Sequence, residues 1–254
     1  MSGLNVDVAG EGPDLVLLHG WGMHSGVWTE LIPALARRFR VHTIDLPGHG
    51  RSAGIAAPDF EGTVDLVAAN VPDGARVCGW SLGALLAQRL VQRGAARVSR
   101  LVLVSATPCF TLRPGWKHAI AVSTLEAFAA WLAEDRDATL ARFVALNALD
   151  GAREREAIRA FTGRLAERGI PAGAALAAGL VWLRDTDLRA DAGRIAVPTL
   201  LVHGARDQLV PVEAGRWLAQ AIPGARMHEL ADAAHLPFFT HRDAFLAALE
   251  AFVG

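Results

Sequence analysis

The chain has 254 residues, of which 52% are hydrophobic and 20% charged, and its formal net charge is −1. This composition excludes a disordered chain, and the small net charge gives no electrostatic argument for binding nucleic acid or a membrane surface. The sequence has no signal-peptide pattern, no apolar run long enough to span a bilayer, and only two cysteines, too few for a disulfide framework. We therefore expect one domain with a large core, in the reducing cytoplasm.

Apolar, strand-like segments alternate with helical segments along most of the chain. Such alternation predicts a mostly parallel sheet flanked by helices, that is, an α/β fold. The predicted strands lie near residues 15–18, 41–44, 76–79, 101–105, 199–203 and 225–230.

Two glycine-rich loops follow the first two predicted strands. His19-Gly20-Trp21-Gly22 comes directly after the first strand, and Asp45 opens a turn with proline and glycine that runs to Ser52. We expect His19 to shape its loop rather than to take part in chemistry. Likewise, we expect Asp45 and Arg51 to fix their turn rather than to contact a substrate.

The motif Gly79-Trp80-Ser81-Leu82-Gly83 stands between the third predicted strand and a helix rich in alanine and leucine that runs to about Gln92. In this context Gly-x-Ser-x-Gly indicates a nucleophile elbow, a sharp strand-to-helix turn that holds the serine in a strained conformation. The helix N-terminus directs unpaired N–H groups at any negative charge that forms beside the serine. The alternative is a glycine-rich turn in which Ser81 only caps the helix.

The alternation of strands and helices stops between about residues 107 and 187. Four helical segments are predicted there, near 124–133, 138–148, 153–168 and 172–183. We expect a core of residues 1–106 and 188–254, interrupted by an all-helical insert at 107–187 that acts as a lid. Helical spacing groups Phe128, Trp131, Phe143 and Leu146, which either line a pocket or form the insert's own core.

An acid and a histidine follow the last two predicted strands. Asp207 lies in a Gly-x-x-Asp turn after the strand at 199–203, and His235 lies in the loop after the strand at 225–230. There His235 can take a proton from Ser81 through one ring nitrogen, while Asp207 holds the other nitrogen and fixes the tautomer. Two alternatives remain: Asp207 only closes a loop, or His203, which precedes the acid within a strand, is the base.

Serine, aspartate and histidine occur here in the chain order of α/β-hydrolases, and the whole chain resembles that superfamily. The resemblance implies an α/β-hydrolase fold, with a mostly parallel central sheet and an inserted helical lid. It also implies an oxyanion hole formed by the backbone N–H groups of Trp21 and Leu82. The histidines show no metal-ligand spacing and no Gly-x-Gly-x-x-Gly follows a strand, so we expect neither a metal nor a cofactor.

Several less generic segments resemble one family within the superfamily, the pimeloyl-[acyl-carrier protein] methyl ester esterases of biotin biosynthesis. These segments are His19 to Gly22, Asp45 to Gly48, Gly79 to Gly83, Pro108-Cys109-Phe110, Arg142 to Asn147 and Ala233-Ala234-His235. The resemblance implies hydrolysis of the methyl ester by a triad of Ser81, His235 and Asp207 through an acyl-enzyme, which frees the pimeloyl carboxylate.

The same resemblance implies two sets of contacts. Substrate contacts are expected at Trp21, Ser81, Leu82, Phe143, Val144, Ala145, Leu146, Asn147 and His235. Contacts with the acidic carrier protein are expected at Arg142, Arg155 and Arg159. The chain departs from the family at Ala138, where a further basic residue is usual, and at Asn147, where a longer amide is usual. Glu154 and Glu156 alternate with the arginines, so a solvated helix face is the alternative.

Other functions stay open on the sequence. The same triad serves broad-specificity hydrolases of short esters or lactones, and carbon–carbon bond hydrolases, that carry a different insert. A non-catalytic binding module is disfavoured because all three triad residues are present in order. A chloroalkane hydrolase is disfavoured because that chemistry requires aspartate at the position of Ser81. We expect the protein to be a monomer.

Overall fold

Within the part of the chain that the computed structural model describes, residues 3–147 and 154–254, seven strands form one sheet. They are β1 (Val6–Ala9), β2 (Asp14–Leu18), β3 (Arg40–Ile44), β4 (Ala75–Trp80), β5 (Val98–Val104), β6 (Thr199–Gly204) and β7 (Arg226–Leu230). The order in the sheet is β1-β3-β2-β4-β5-β6-β7, with β1 antiparallel to β3 and every other pair parallel. The predicted α/β fold with a mostly parallel sheet is confirmed.

The six predicted strands correspond to β2 through β7, and β1 was not predicted. β1 is short, lies at the edge of the sheet and is only partly buried, so it lacks a continuous apolar run. In the inner strands, by contrast, Leu15 to Leu18 of β2 and Leu101 to Val104 of β5 are fully buried. Strands covered on both faces of a parallel sheet require such runs, which is why their positions can be read from the sequence.

Helices connect the strands. Their bounds are α1 (Ile32–Leu35), α2 (Phe60–Ala68), α3 (Leu82–Arg93), α4 (Val122–Glu134), α5 (Arg136–Asn147), α6 (Glu154–Arg168), α7 (Gly173–Asp185), α8 (Val212–Ala221), α9 (Pro237–Thr240) and α10 (Arg242–Val253). Short 3₁₀ turns occur at Ser25–Trp28, Gly50–Ser52 and Arg189–Arg194. None of the helices in the described ranges has both the length and the apolar character that crossing a bilayer requires.

The register of the sheet brings several loops to one edge. Leu18 in β2 pairs with Ile44 in β3 and with Gly79 in β4, so the loops after these three strands begin side by side. The loops after β5, β6 and β7 leave from the same edge because these strands run parallel to β4. Open parallel sheets bind their ligands at this carboxyl edge. Four strands at this edge are followed directly by His19, Asp45, Ser81 and Ser105, and the loops after β6 and β7 carry Asp207 and His235.

The segment 107–187, predicted as a helical insert, contains α4 to α7. Its two ends meet: Cys109 and Asp187 form an antiparallel bridge, and the Leu188 N–H donates to Pro108 O at 2.8 Å. The chain therefore leaves the core and rejoins it at one place. The start of α7 is also tied to the core, because the Ala172 N–H donates to the carbonyl of Gly48 at 3.1 Å.

Candidate active site

Ser81 lies at the turn between β4 and α3 in a strained backbone conformation, with φ 54° and ψ −116°. Such angles cost a non-glycine residue about 1–3 kcal/mol, which the surrounding structure must offset. The Ser81 N–H donates to Val104 O at 3.0 Å and pins the turn. Both flanking positions must be glycine: a Cβ at Gly79 would lie 2.4 Å from Gly83 O, and a Cβ at Gly83 would lie 2.4 Å from Leu18 O. The local geometry is that of a nucleophile elbow.

The loops after β6 and β7 bring an acid and an imidazole together. His235 Nδ1 donates to Asp207 Oδ2 at 2.7 Å, and both side chains are buried. The other oxygen, Oδ1, accepts the N–H groups of Leu209 at 3.0 Å and Val210 at 2.9 Å. Burial raises the pKa of the Asp207 carboxyl, but attraction to His235 and hydrogen bonds from imidazoles outweigh it and hold the pKa well below its usual range. The carboxylate is therefore ionised and keeps the proton of His235 on Nδ1.

The backbone of His235 is fixed by hydrogen bonds, as its ring is. Its carbonyl oxygen accepts a hydrogen bond from Trp80 Nε1 at 2.9 Å and another from Ser105 Oγ at 3.2 Å. The Trp80 ring also lies beside the imidazole, with the ring centroids 5.5 Å apart. In the described part of the chain, His235 Nε2 is buried without a hydrogen-bond partner, and Ser81 is half-buried. A base nitrogen is thus left for proton transfer.

His203, the alternative base, lies inside β6 and is fully buried beside Asp207. Its Nε2 donates to Val210 O at 2.9 Å and lies 3.4 Å from Asp207 Oδ2. A Cβ at Gly215 in α8 would lie only 2.6 Å from His203 Nδ1, so protein atoms enclose this nitrogen as well. These contacts favour a structural role for His203 beside Asp207.

The loop after β2 lies directly against the elbow. A Cβ at Gly20 would lie 2.9 Å from the Trp80 ring and 3.3 Å from Ser81 Cβ. His19 shapes this loop: its Nδ1 donates to Gly20 O at 2.8 Å, and its Nε2 accepts the Leu46 N–H at 3.0 Å. Burial lowers the pKa of His19 to about 3, so the ring is neutral. These contacts agree with a structural role for His19.

The two residues expected to supply the oxyanion hole lie on two different loops. Leu82 is the first residue of α3, where helix geometry leaves the backbone N–H without a partner inside the helix. Trp21 follows Gly20 in the loop that lies against Ser81, and its buried indole Nε1 donates to Leu176 O in α7 at 2.9 Å. That their N–H groups bind the oxyanion stays a prediction.

The turn after β3 is built around the buried carboxylate of Asp45. Oδ1 accepts the Ser25 N–H at 2.7 Å and Oδ2 accepts the Arg51 N–H at 2.9 Å. In the same turn His49 Nδ1 donates to Pro47 O at 2.9 Å, and burial lowers the pKa of His49 to about 4. Asp45 is thus satisfied by loop N–H groups, as expected for a structural residue.

An apolar cavity of about 570 Å³ lies between the helical insert and the loop that carries Trp21. The Trp21 ring lies edge-on to Phe143 at 4.8 Å and to Phe128 at 5.5 Å, so an aromatic cluster forms one wall. Gln208 and Leu209, which follow Asp207 in the sequence, line the cavity on the side of the acid. The cavity thus offers an apolar chain a place beside Trp21 and the loop of Asp207, although Ser81, Leu82 and His235 are not among its lining residues. Its size is typical of small-molecule pockets.

Four residues grouped by helical spacing all line this cavity: Phe128, Trp131, Phe143 and Leu146. Val144, Ala145 and Asn147 are not among its lining residues. Val144 and Asn147 are fully buried, and Asn147 Nδ2 donates to Phe143 O at 2.6 Å. Helix α5 presents one side to the cavity, so residues three apart reach it and those between them do not. Contact of these three residues with a substrate stays a prediction.

The arginines expected to contact a carrier protein lie on α5 and α6. Arg142 and Arg159 are exposed, and the Arg142 guanidinium lies 5.6 Å from the ring centre of the cavity residue Trp131. The side chain of Arg155 lies outside the described part of the chain. The structure thus places Arg142 next to the cavity rim.

Sequence reasoning missed several residues that build the site. Trp80 stands out in the sequence only as a less generic residue of the elbow that resembles the family, whereas the structure gives its indole a role in fixing the His235 carbonyl. Ser105 has a positive φ of 47° and follows a fully apolar strand end, and a polar residue at that point was the available signal. Leu176 in α7 had no signal at all, because its carbonyl contact with Trp21 spans two distant segments.

Comparisons with known proteins agree with this geometry. A family model described as the alpha/beta hydrolase fold matches residues 13–242. A pimeloyl-[acyl-carrier protein] methyl ester esterase of Chromobacterium violaceum is 44% identical over 246 residues, which cover 97% of this chain and 96% of that protein. A protein of the same name from Nitrosomonas europaea is 39% identical over 252 residues, which cover 99% of this chain and all of that protein.

Solved structures show the same fold. An esterase from Exiguobacterium antarcticum superposes with a TM-score of 0.88 over 98% of this chain and 95% of that chain, at 24% identity. An enol-lactonase from Burkholderia xenovorans has a TM-score of 0.85 at 27% identity, over 98% of this chain and 96% of that chain. Because the family model spans most of the chain and the relatives nearly all of it, this chain belongs to the α/β-hydrolase family and, within it, to the family of pimeloyl-[acyl-carrier protein] methyl ester esterases.

Proposed function

We propose that this chain is a serine carboxylesterase that hydrolyses the methyl ester of pimeloyl-[acyl-carrier protein] and so frees the pimeloyl carboxylate for biotin biosynthesis. The observation that carries the chemistry is the buried His235–Asp207 pair at 2.7 Å, with an unpartnered Nε2, near a strained elbow serine. The substrate is inferred from relatives of that name that span nearly the whole chain. The apolar cavity supports this inference because the transfer of methylene groups from water into an apolar site is favourable.

The first half of the reaction acylates the serine. His235 Nε2 takes the proton of Ser81 Oγ as the oxygen attacks the ester carbonyl, and Asp207 stabilises the imidazolium that forms. The N–H groups of Trp21 and Leu82 bind the oxyanion of the tetrahedral intermediate. The intermediate collapses when His235 gives its proton to the methoxy oxygen, and methanol leaves. Ser81 is then esterified to the pimeloyl group.

The second half releases the acid. His235 Nε2 takes a proton from a water molecule, whose oxygen attacks the acyl-enzyme carbonyl. The same two N–H groups bind the second oxyanion, and the intermediate collapses as His235 returns the proton to Ser81 Oγ. The carboxylate product leaves with the carrier protein still attached at the far end of the acyl chain. The thioester survives because it is not the carbonyl held at Ser81.

We also propose that an acyl-carrier protein docks on the helical insert, which acts as a lid. Exposed Arg142 and Arg159 support this, and Arg155 shares a helix face with Arg159, four residues away in α6. Basic side chains attract an acidic partner and orient it as it approaches. We propose further that the protein is a monomer and acts in the cytoplasm. Its two buried, free cysteines suit a reducing compartment.

A hydrolase of other small esters or lactones is the second candidate. It is favoured by the structural likeness to an enol-lactonase, whose fold superposes over 98% of this chain. The two candidates share the same triad and differ only in what the helical insert accepts. A short p-nitrophenyl ester alone therefore cannot separate them.

Product analysis tests the proposed reaction. The protein is incubated with pimeloyl-[acyl-carrier protein] methyl ester, and methanol and the demethylated carrier protein are measured together by mass spectrometry. We expect equal amounts of both from the wild type and neither from Ser81→Ala, whose thermal midpoint should stay close to that of the wild type. Turnover by Ser81→Ala, or cleavage of the thioester instead of the methyl ester, would contradict the proposal.

A further inference from the structure

Helix α7 makes an unusually close contact with the loop and the elbow at Gly179. A Cβ at this position would lie 2.6 Å from Trp21 Cδ1 and 3.0 Å from Trp21 Nε1. It would also lie 3.6 Å from Leu82 Cδ2. Trp21 and Leu82 are the two residues proposed to donate their N–H groups to the oxyanion. The side chains of both donors therefore lie against the same point of the helical insert.

A second contact on the same side of α7 fixes the indole. Trp21 Nε1 donates to Leu176 O at 2.9 Å, and Leu176 precedes Gly179 by three residues, so the two lie on one helix face. The Trp21 ring is further enclosed by Phe143 of α5 and Phe128 of α4. The indole thus lies between the insert and the loop. Helix α7 provides the acceptor of the indole hydrogen bond at Leu176 and, at Gly179, leaves room for the ring.

Glycine is an unfavourable residue in the middle of a helix, where it costs about 1 kcal/mol relative to alanine. Gly179 is buried in the interior of α7, which runs over Gly173–Asp185. Its φ is not in the left-handed region, so the backbone conformation does not require glycine. Glycine is required instead by the small space between the helix and Trp21. An ordinary carbon–carbon contact is about 3.5–4.0 Å, so alanine would force the indole or the helix to move by about 1 Å.

We propose that Gly179 is a positioning residue for the oxyanion hole, and that α7 sets the place of Trp21 through the Gly179 contact and the Leu176 carbonyl. The insert then does more than bound the acyl cavity, since it also fixes a donor of the reaction. This inference rests on the proposed serine-esterase chemistry but not on the identity of the acyl carrier. A small ester is therefore sufficient to test it.

The test is a double-mutant cycle of Gly179→Ala and Trp21→Phe, with kcat and KM measured on p-nitrophenyl butyrate. A displacement of 1 Å can reduce turnover by about 100-fold, so we expect Gly179→Ala to lower kcat by roughly 10- to 100-fold. KM should change less, because the oxyanion contact exists only in the transition state. Phenylalanine lacks the pyrrole edge that faces Gly179, so in the Trp21→Phe background the same change should lower kcat by less than about threefold.

Gly173→Ala is the matched control, because Gly173 begins the same helix and a Cβ there would meet nothing within 4 Å. It should keep the wild-type kcat and KM. Thermal melts of all variants report whether they fold. If Gly179→Ala fails to fold, the double variant decides, since removal of the clash should restore both folding and the kcat of Trp21→Phe alone.

Four results would overturn the inference: wild-type kcat in Gly179→Ala, a rise in KM with unchanged kcat, an equal kcat loss in both Trp21 backgrounds, or a double variant that does not fold. The KM result would mean that Gly179 only shapes the cavity. The equal loss would mean that it acts without Trp21. Failure of the proposed function is seen separately, as ester turnover that survives Ser81→Ala, and it would overturn this inference as well.

Discussion

Asp207 is the residue that orients the imidazole of His235, the proposed base. Its Oδ2 accepts a hydrogen bond from His235 Nδ1, while its Oδ1 accepts two backbone N–H groups. His203 Nε2 approaches the same Oδ2 at 3.4 Å from within β6. The groups that face the carboxylate are therefore hydrogen-bond donors. Only a side chain that accepts at both oxygens, as a carboxylate does, matches them.

Asp207→Asn should break this match at one oxygen. The amide oxygen can replace Oδ1 opposite Leu209 and Val210, but the NH₂ group then faces His235 Nδ1 and forces the proton to Nε2. In that tautomer His235 cannot accept the proton of Ser81. We expect kcat on p-nitrophenyl butyrate to fall by about 10⁴-fold, as loss of the correct tautomer does in other serine hydrolases, with little change in KM.

The control for this variant is His203→Gln, which keeps a donor beside Asp207 and should retain most of the wild-type kcat. Thermal melts establish that both variants fold. Near-wild-type turnover by Asp207→Asn would mean that the acid of the triad lies elsewhere.

At the scale of elements, hydrogen bonds and ion pairs attach the C-terminal half of α6 to the core. His24 Nε2 donates to Arg164 O at 2.8 Å, and the Arg168 guanidinium contacts Ser25 Oγ and, at 2.9 Å, Asp7 Oδ2. The side chain of Arg164 also lies 3.3 Å from Glu30 Oε1. These contacts hold the helix that carries Arg159, so the proposed docking residue has a fixed position relative to the core.

Charge reversal on this helix tests carrier docking. We expect Arg155→Glu with Arg159→Glu to lower kcat/KM for the carrier-linked methyl ester by about tenfold, because like charges repel the acidic partner during encounter. The loss should shrink as salt is added, since exposed charges are screened over about 10 Å at 0.1 M ionic strength. Turnover of p-nitrophenyl butyrate should stay at the wild-type level.

Arg37→Glu serves as the control for charge alone. Arg37 is exposed and lies just before β3, at the amino edge of the sheet and away from the insert. Equal losses on the carrier substrate and the small ester would indicate a damaged insert, and loss in Arg37→Glu would indicate a general charge effect. Either result would contradict docking at these arginines.

At the scale of the whole molecule, stability depends on buried neutral histidines that lie under the site. His19 and His49 are fully enclosed, with ring centroids 5.3 Å apart. Burial lowers the pKa of His19 to about 3 and that of His49 to about 4, from 6.5 in an exposed imidazole. Below pH 6.5 the unfolded chain therefore binds protons that the folded chain does not.

The free energy of unfolding should accordingly fall with acidification. The stabilisation that the neutral rings contribute is complete above pH 6.5 and is lost as the pH falls toward the folded-state values. Each histidine should contribute a slope of about 1.4 kcal/mol per pH unit once the pH is below about 5.5. Urea unfolding at several pH values measures this slope. His49→Gln should remove one histidine's share, and an unchanged slope in that variant would contradict the assignment.

Local patterns predicted the strands and indicated Ser81, Asp207 and His235 as the candidate triad because the physics involved is local. Full burial demands apolar runs such as Leu15 to Leu18, and the elbow demands glycine at Gly79 and Gly83. Ser81 directly follows β4, whereas Asp207 and His235 lie in the loops after β6 and β7, and parallel strands bring such loops to one edge. The edge strand β1 was missed because it is short and half-buried.

Contacts between distant segments could not be predicted in this way. Trp80 Nε1 and the His235 carbonyl are 155 residues apart in sequence, as are Trp21 and Leu176. Helical spacing predicted α5, but the choice of Phe143 rather than Val144 for the cavity depends on how the helix packs. The resemblance to a family supplied the expected substrate, which no local pattern encodes.

The measurement that tests the central claim most directly is the ratio of two kcat/KM values. One is for pimeloyl-[acyl-carrier protein] methyl ester and the other for a short p-nitrophenyl ester, with Ser81→Ala as the blank for both. We predict a ratio far above one, because the cavity and the arginines of the insert recognise parts of the substrate that the short ester lacks. A ratio near or below one would contradict the proposed substrate and leave a serine esterase of another specificity.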